Sequence, residues 1–334
     1  MDAGTVDSGS TGGNAGTGGT GGGPGQEDDA GMEPTGNGTP THEERMALRT
    51  VRQEHGAAAL NGEVYVLGGF TPDVTSSVQA YDPEGNTWRD VADFPAQFHH
   101  PNVAVVEGLL YVVGFHVGMS LRDADGRVFA YDPAENEWLP RMSMPLGTER
   151  GSACVATLGT KIYLFGGASD VTLPDASAYD TMLDDWEQLP LMPELREHCQ
   201  AAGIDGKVYI VSGRSGSIQG LEVESWVYDP DAQSYQERAA IPTPRGGAAG
   251  AVLGGRIFVF GGEGNADDPD GVFHEVEAYD PVSNTWESLP DMLIARHGYA
   301  AATVGDRIYL PGGATNQGFG ATNNHTVFFF QAAD

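Results

Sequence analysis

Six times along the chain one short phrase returns, an aromatic residue, two apolar residues and two glycines or a near variant. The copies are Tyr65-Val66-Leu67-Gly68-Gly69, Tyr111-Val112-Val113-Gly114-Phe115, Tyr163-Leu164-Phe165-Gly166-Gly167, Tyr209-Ile210-Val211-Ser212-Gly213, Phe258-Val259-Phe260-Gly261-Gly262 and Tyr309-Leu310-Pro311-Gly312-Gly313. They stand 46, 52, 46, 49 and 51 residues apart. A chain written this way repeats one supersecondary unit that cannot bury its own apolar face, so neighbouring units must stack and share a core.

Each of the first five copies is followed by a phrase of the general form Tyr-Asp-Pro-x-x-Asn-x-Trp, its aromatic residues seven positions apart: Tyr81 to Trp88, Tyr131 to Trp138, Tyr179 to Trp186, Tyr228 to Tyr235 and Tyr279 to Trp286. Ahead of each diglycine lies a run of small residues such as Ala57-Ala58-Ala59-Leu60, then a two-residue turn such as Asn61-Gly62, Asp205-Gly206 or Gly305-Asp306. Small residues suit an inner strand where units converge on a narrow axis, and the turn makes a hairpin to the apolar strand. The diglycine ends that strand where backbone approaches a neighbour or takes φ > 0. Asn86, Asn136 and Asn284 suit a left-handed turn position, and the tryptophans are expected between units. The architecture this implies is all-β, a six-bladed β-propeller of four-stranded antiparallel blades. The paired phrases resemble the Kelch family over residues 45–334, and the resemblance implies the same fold.

After Gly313 the sixth repeat holds one further strand, around Thr326-Val327-Phe328-Phe329-Phe330. Its missing outer strand is expected from residues 42–50, closing blade six and removing an open sheet edge. The chain then divides into a linker over 1–41 and a propeller over 42–334. The linker is rich in Gly, Thr, Ser and Asp and has no aromatic residue, Lys or Arg, so it buries too little to offset chain entropy and is expected to be disordered. It is similar to the spacers that join bacterial lipoprotein anchors to exported domains. That implies an extracellular or cell-envelope location, with a signal peptide and lipidated cysteine upstream.

With 47 acidic and 17 basic residues the formal charge is −30, which disfavours nucleic acid and anionic membrane as partners. No run is long and apolar enough for a membrane-spanning helix. Cys154 and Cys199 fall on neighbouring inner strands one position out of register, so their side chains are expected to face opposite ways and stay unbonded.

In a propeller the loops after the second and fourth strands share one face, around the channel mouth, and loops on a rigid scaffold commonly carry function. With the diglycines as register, the residue entering each inner strand is Arg52, Phe98, Arg150, Arg196, Arg245 or Arg296. Five guanidinium groups there could bind a carboxylate, sulfate or acidic sugar, or could pair with acidic residues and loop carbonyls of adjoining blades. His55, His99, His100, His116, His198, His274, His297 and His325 map to the same face, leaving His42 elsewhere. Some belong to the family's strand-entrance phrase Arg-x-x-His-Gly. The candidate ligand-binding residues are therefore Arg52, Arg150, Arg196, Arg245, Arg296, His55, His99, His100, His116 and His325. The loop 263–275 is the densest carboxylate cluster. It could hold calcium, or a transition metal through Glu263, Asp267 and His274, or be a solvated acidic loop.

The expected function is a non-catalytic binding module, a monomer without cofactor, taking a protein or acidic glycan at the channel-mouth face. The alternative is a carbohydrate-active enzyme similar to the six-bladed sialic-acid mutarotase. Glu149, Glu197, His198 and His297 would be its acid/base candidates beside Arg150, Arg196 and Arg296. Copper chemistry of the galactose-oxidase kind would need a seventh repeat and a cysteine-modified tyrosine, and neither is found.

Overall fold

Small-residue strand, tight turn and apolar strand form the inner hairpin of every blade in the computed structural model, which describes residues 38–332. In blade one Gly56–Leu60 lines the axis and pairs with Glu63–Leu67 across Asn61 and Gly62. Both turn residues have positive φ, 53° and 76°, as a two-residue hairpin turn requires. Val78–Asp82 and Thr87–Asp90 complete the sheet outward, and blades two to five repeat this inner-to-outer order. Among the described residues there is no helix. The domain is a six-bladed propeller of four-stranded antiparallel sheets.

Blade six closes the ring. Its sheet runs from Ala302–Val304 through Arg307–Pro311 and His325–Gln331 to Thr39–Glu44, so the outermost strand comes from the other end of the chain. That strand lies nearer the N-terminus than the expected 42–50, because His325–Gln331 is long enough to carry pairing back to Thr39. Residues 45–51 then run irregularly, held by Arg45 N–H to His325 O at 2.9 Å and Leu48 N–H to Asn323 O at 3.0 Å. Gly38 to Thr41 thus belong with the propeller and not with the linker; residues 1–37 lie outside the described residues.

The core is divided among the gaps between adjacent blades. One gap packs Cys154, Ala156, Tyr163 and Phe165 of blade three against Cys199, Ala201, Val208 and Ile210 of blade four. Here the expectation for the cysteines fails: Cys154 and Cys199 form a disulfide, their Cα atoms 5.0 Å apart. The register argument holds for strands side by side in one sheet. Inner strands of adjacent blades instead face each other across a gap, so residues of opposite parity are the ones that meet.

At the rim a repeated latch joins blades one, two, three and five each to the blade before. Tyr81 donates its hydroxyl to Asn86 Oδ1 at 2.7 Å, and the same oxygen accepts Met46 N–H at 2.9 Å. Trp88 Nε1 donates to Met46 O at 2.8 Å. Asn136 with Trp138 and Asn284 with Trp286 repeat the arrangement, and the asparagines have φ of 51°, 55° and 56°. Expected at the channel mouth, His325 lies in this rim instead. It starts the third strand of blade six, packs on Tyr81 and Trp88 with centroids 4.4 and 5.3 Å away, and meets Met46 O at 3.1 Å.

Two outcomes follow. A chain starting at Met46, which lacks the closing strand, will aggregate on size-exclusion chromatography, whereas one starting at Gly38 will elute and melt as the full chain does; equal melting temperatures would contradict the closure. Burial pushes the His325 imidazole down to about 3, while in the unfolded chain it titrates near 6.5. Its stability contribution is therefore whole above pH 6.5 and is lost as pH falls toward 3. Between pH 7 and 4 the unfolding free energy should drop by about 3 kcal/mol more in the parent than in His325→Phe, measured by urea titration; identical slopes would contradict this.

Candidate functional site

The five entrance arginines, expected to offer a ligand ring, are buried, and their terminal guanidinium nitrogens are hydrogen-bonded within their own blades. Arg52 donates to Gly68 O at 2.7 Å, Ser77 O at 2.9 Å and Ser77 Oγ at 2.7 Å. Arg296 does the same toward Gly312 O at 2.6 Å, Leu310 O at 3.0 Å and Thr326 Oγ at 2.7 Å. Arg150, Arg196 and Arg245 repeat this on Ser177, Ser212 and Val259, and Arg196 and Arg245 add the carboxylates of Glu194 and Glu277. With side chains no more than 1% exposed they are staples between the second and third strands, out of a ligand's reach. Blade two has Phe98 here, and Asn102 takes up the loose backbone by donating to Val113 O and Arg150 O, each at 2.9 Å.

Two residues beyond each entrance position the chain turns over the channel mouth in a left-handed conformation. The six residues are Glu54, His100, Ser152, His198, Gly247 and Gly298, with φ between 47° and 63°. Their backbones form a closed hydrogen-bonded ring: His100 N–H to Glu54 O at 2.8 Å, Ser152 to His100 at 3.1 Å, His198 to Ser152 at 3.0 Å, Gly247 to His198 at 3.1 Å, Gly298 to Gly247 at 2.8 Å and Glu54 to Gly298 at 2.5 Å. Glycine at 298 makes room for the Glu54 carboxylate, which a Cβ there would displace. Below the ring a narrow cavity of about 110 Å³ runs between the inner strands, lined among others by Glu54, His55, His100, His198 and Tyr299.

The ring turns three chemically active side chains inward. His100 Nε2 lies 3.0 Å from Glu54 Oε2, and His198 Nε2 lies 4.0 Å from the same oxygen. Further titratable side chains surround these three. His99 Nδ1 is 2.5 Å from His100 Nδ1, and Glu197 Oε1 is 3.5 Å from His198 Nδ1. Arg214 bridges Glu197 and Glu263 and reaches His198 Nε2 at 3.2 Å. His297 Nδ1 lies 3.8 Å from Glu54 Oε1 and 3.5 Å from Glu263 Oε2. His116 lies beside His99, rings stacked at 5.6 Å.

Burial pushes the Glu54 carboxyl up, but the imidazoles of His100, His198 and His297 outweigh it and hold the group well below the usual carboxylate range. Glu197 is likewise raised by burial and brought down to about 2 by His198 and Arg214. Burial and neighbouring imidazoles lower His99 to about 3 and His116 to about 2, so both rings are neutral near pH 7. His100 is lowered by burial, against the pull of Glu54.

Of the residues expected at the mouth, His99, His100, His116, Glu197, His198 and His297 do converge there. His55 sits one step down the channel, between Pro311 O at 3.0 Å and Gly56 O at 3.2 Å. Glu149 does not converge: it caps Gly147 N–H at 2.8 Å in an outer loop. Nor do Glu263, Asp267 and His274 form one metal site. Glu263 turns inward under Arg214, Asp267 is exposed, and the exposed His274 faces Asp268 at 3.8 Å. The loop's far end is tied instead to blade six, Gln317 N–H donating to Asp270 O at 2.7 Å. Sequence reasoning missed Glu54 and Arg214. Glu54 shares its register with His100 and His198, and Arg214 shares with His116 and Glu263 the position after the diglycine.

A model of the KLHDC2/KLHL20/DRC7 Kelch-repeats domain matches residues 102–313, and one of the Kelch motif matches residues 52–95. The Kelch-like protein terF of Aspergillus terreus is 36% identical over 299 residues, 84% of this chain and 64% of that protein. Kelch-like protein 23 of Mus musculus is 25% identical over 262 residues, 76% of this chain and 44% of that protein. The chain therefore spans less than two thirds of the length of these relatives. Among solved structures, that of YjhT aligns with a TM-score of 0.71 at 14% identity, covering 85% of this chain and 96% of the other, a likeness of fold. On the match to its repeats, the chain belongs to the Kelch-repeat family.

Proposed function

We propose that this chain is a non-catalytic binding module that holds a protein partner on the face around the channel mouth. The observation that carries this reading is the placing of exposed apolar side chains. Among the described residues fourteen large hydrophobic side chains are exposed, and only Met182, Leu183 and Val282 sit on turns of the opposite face. The other eleven follow second or fourth strands; Met46 and Met142 among them lie at the rim latches, and Met119, Leu146, Val171 and Phe319 are the most exposed of the remaining nine. Apolar groups gathered on one face of a rigid scaffold suit a protein surface better than a sugar. The acidic-glycan reading loses its anion holder with the burial of the arginines, and the carbohydrate-active alternative rests on Glu197, His198 and His297 alone.

The tail composition and the Cys154–Cys199 bond both favour export, because disulfides persist in oxidising compartments. We place the protein outside the cell or in its envelope, as a monomer.

The test is site-specific photocrosslinking in extract of the producing cells, with benzoylphenylalanine at position 319, 119 or 282. Probes at 319 and 119 should trap the same discrete protein, which the probe at 282 does not. Equal products at all three positions, or no product at 319 and 119 alongside specific retention on a glycan array, would overturn the reading.

A further inference from the structure

We propose that Glu54, His100 and His198 hold a divalent first-row transition-metal ion, such as Zn²⁺ or Fe²⁺, at the centre of the channel mouth. One donor atom from each of these residues lies within 4.8 Å of the others. Ligands bonded at about 2.0–2.2 Å to one ion stand about 3–3.6 Å from each other, so the widest separation in the trio needs to close by about 1.2 Å at most to reach that range. Two imidazoles and one carboxylate are a donor set for zinc, iron or nickel, not for calcium or magnesium.

Three further observations point to an ion. The first is the orientation of the histidines. A metal-bound imidazole gives one nitrogen to the ion and donates the other N–H to an acceptor. His100 and His198 both turn Nε2 toward Glu54, and their Nδ1 atoms face His99 Nδ1 at 2.5 Å and Glu197 Oε1 at 3.5 Å. The second is His297, whose side chain is fully buried. Its Nε2 meets Asn316 O at 2.8 Å, and its Nδ1, aimed at Glu54 and Glu263 from 3.8 and 3.5 Å, has no hydrogen-bond partner. The third is charge. The carboxylates Glu54, Glu197 and Glu263 gather around one guanidinium, Arg214, which is paired with Glu197 and Glu263, so a divalent ion beside Glu54 would offset negative charge in a largely buried site.

One contact must give way. Arg214 Nη2 lies 3.2 Å from His198 Nε2, on the lone pair the ion would take, while its bonds to Glu197 and Glu263 can remain. Three protein donors leave coordination positions open toward the channel, where a small ligand or a side chain of a docked partner could complete the ion's shell.

The experiment uses the untagged full chain, stripped with EDTA, incubated with ZnSO₄ or CoCl₂, desalted and measured by elemental mass spectrometry. The parent should retain one equivalent of zinc, and its cobalt form should show visible d–d absorption. Glu54→Gln and His198→Asn, checked by circular dichroism for an intact sheet signal, should each weaken binding at least tenfold. His274→Ala, on the exposed rim, should keep the full equivalent. Failure of the folded parent to retain zinc or give the cobalt spectrum would overturn the proposal, as would undiminished binding by both folded site variants. If the site variants fail to fold, the cobalt spectrum of the parent decides. The metal result is independent of the crosslinking result, so either reading can fail alone.

Discussion

A closed ring of six backbone hydrogen bonds around the channel mouth is the constraint on which the rest of this propeller depends. Each blade contributes one residue in the left-handed region, whose N–H donates to the blade before and whose carbonyl accepts from the blade after. Four of the six, Glu54, His100, Ser152 and His198, have side chains and hold a conformation that costs non-glycine residues free energy. The ring is over-determined by what flanks it. One step outward, in five blades, the second residue of the diglycine pair donates to the next blade's entrance carbonyl, as in Gly69 to Phe98 O and Gly313 to Arg52 O, each at 2.8 Å. In blade two Asn102 supplies the bond with its side-chain amide.

That geometry decides which side chains can do chemistry. A left-handed residue at this point directs its side chain at the axis, so the six positions form one small chamber whatever the blades contain elsewhere. Gly247 and Gly298 leave part of the chamber empty, and the Glu54 carboxylate lies over Gly298. The buried arginines hold the entrance segments from outside the chamber, and the rim latches of Tyr81, Asn86 and Trp88 and their counterparts hold the blades apart at a fixed angle. The rim and the axis are tied by different groups, so loops between them can vary in length and carry the exposed apolar residues of the face.

The fold was largely legible in the sequence, because stacking blades must repeat the residues that make stacking possible. The same logic hid the site. Five arginines at one register looked like a shared ligand ring, yet a residue repeated in almost every blade is what the scaffold needs in every blade. The chemistry sits where the repeats disagree, at the register that reads Glu, His, Ser, His, Gly, Gly. Glu54 went unnoticed because it lies one residue before His55 of the family's strand-entrance phrase, and Arg214 because the residue after a diglycine pair follows no common pattern, reading Phe, His, Ala, Arg, Glu and Ala. The cysteines were misjudged by applying the pleat of one sheet to two sheets that face each other, and His325 by assigning a face from the sequence position of its loop alone. The acidic loop 263–275 looked like one cluster, but Glu263 and its neighbours diverge into the mouth and onto the surface, a split no linear pattern shows.

The most direct test of this account is amide hydrogen exchange at Glu54, His100, Ser152, His198, Gly247 and Gly298, followed by NMR in the folded chain. If the ring closes the propeller, no member can open without the others, and all six amides should exchange at one slow rate that tracks global unfolding. Exchange of one or more of them at least a hundredfold faster than the rest would show that the mouth opens locally, and would contradict the central place given to the ring.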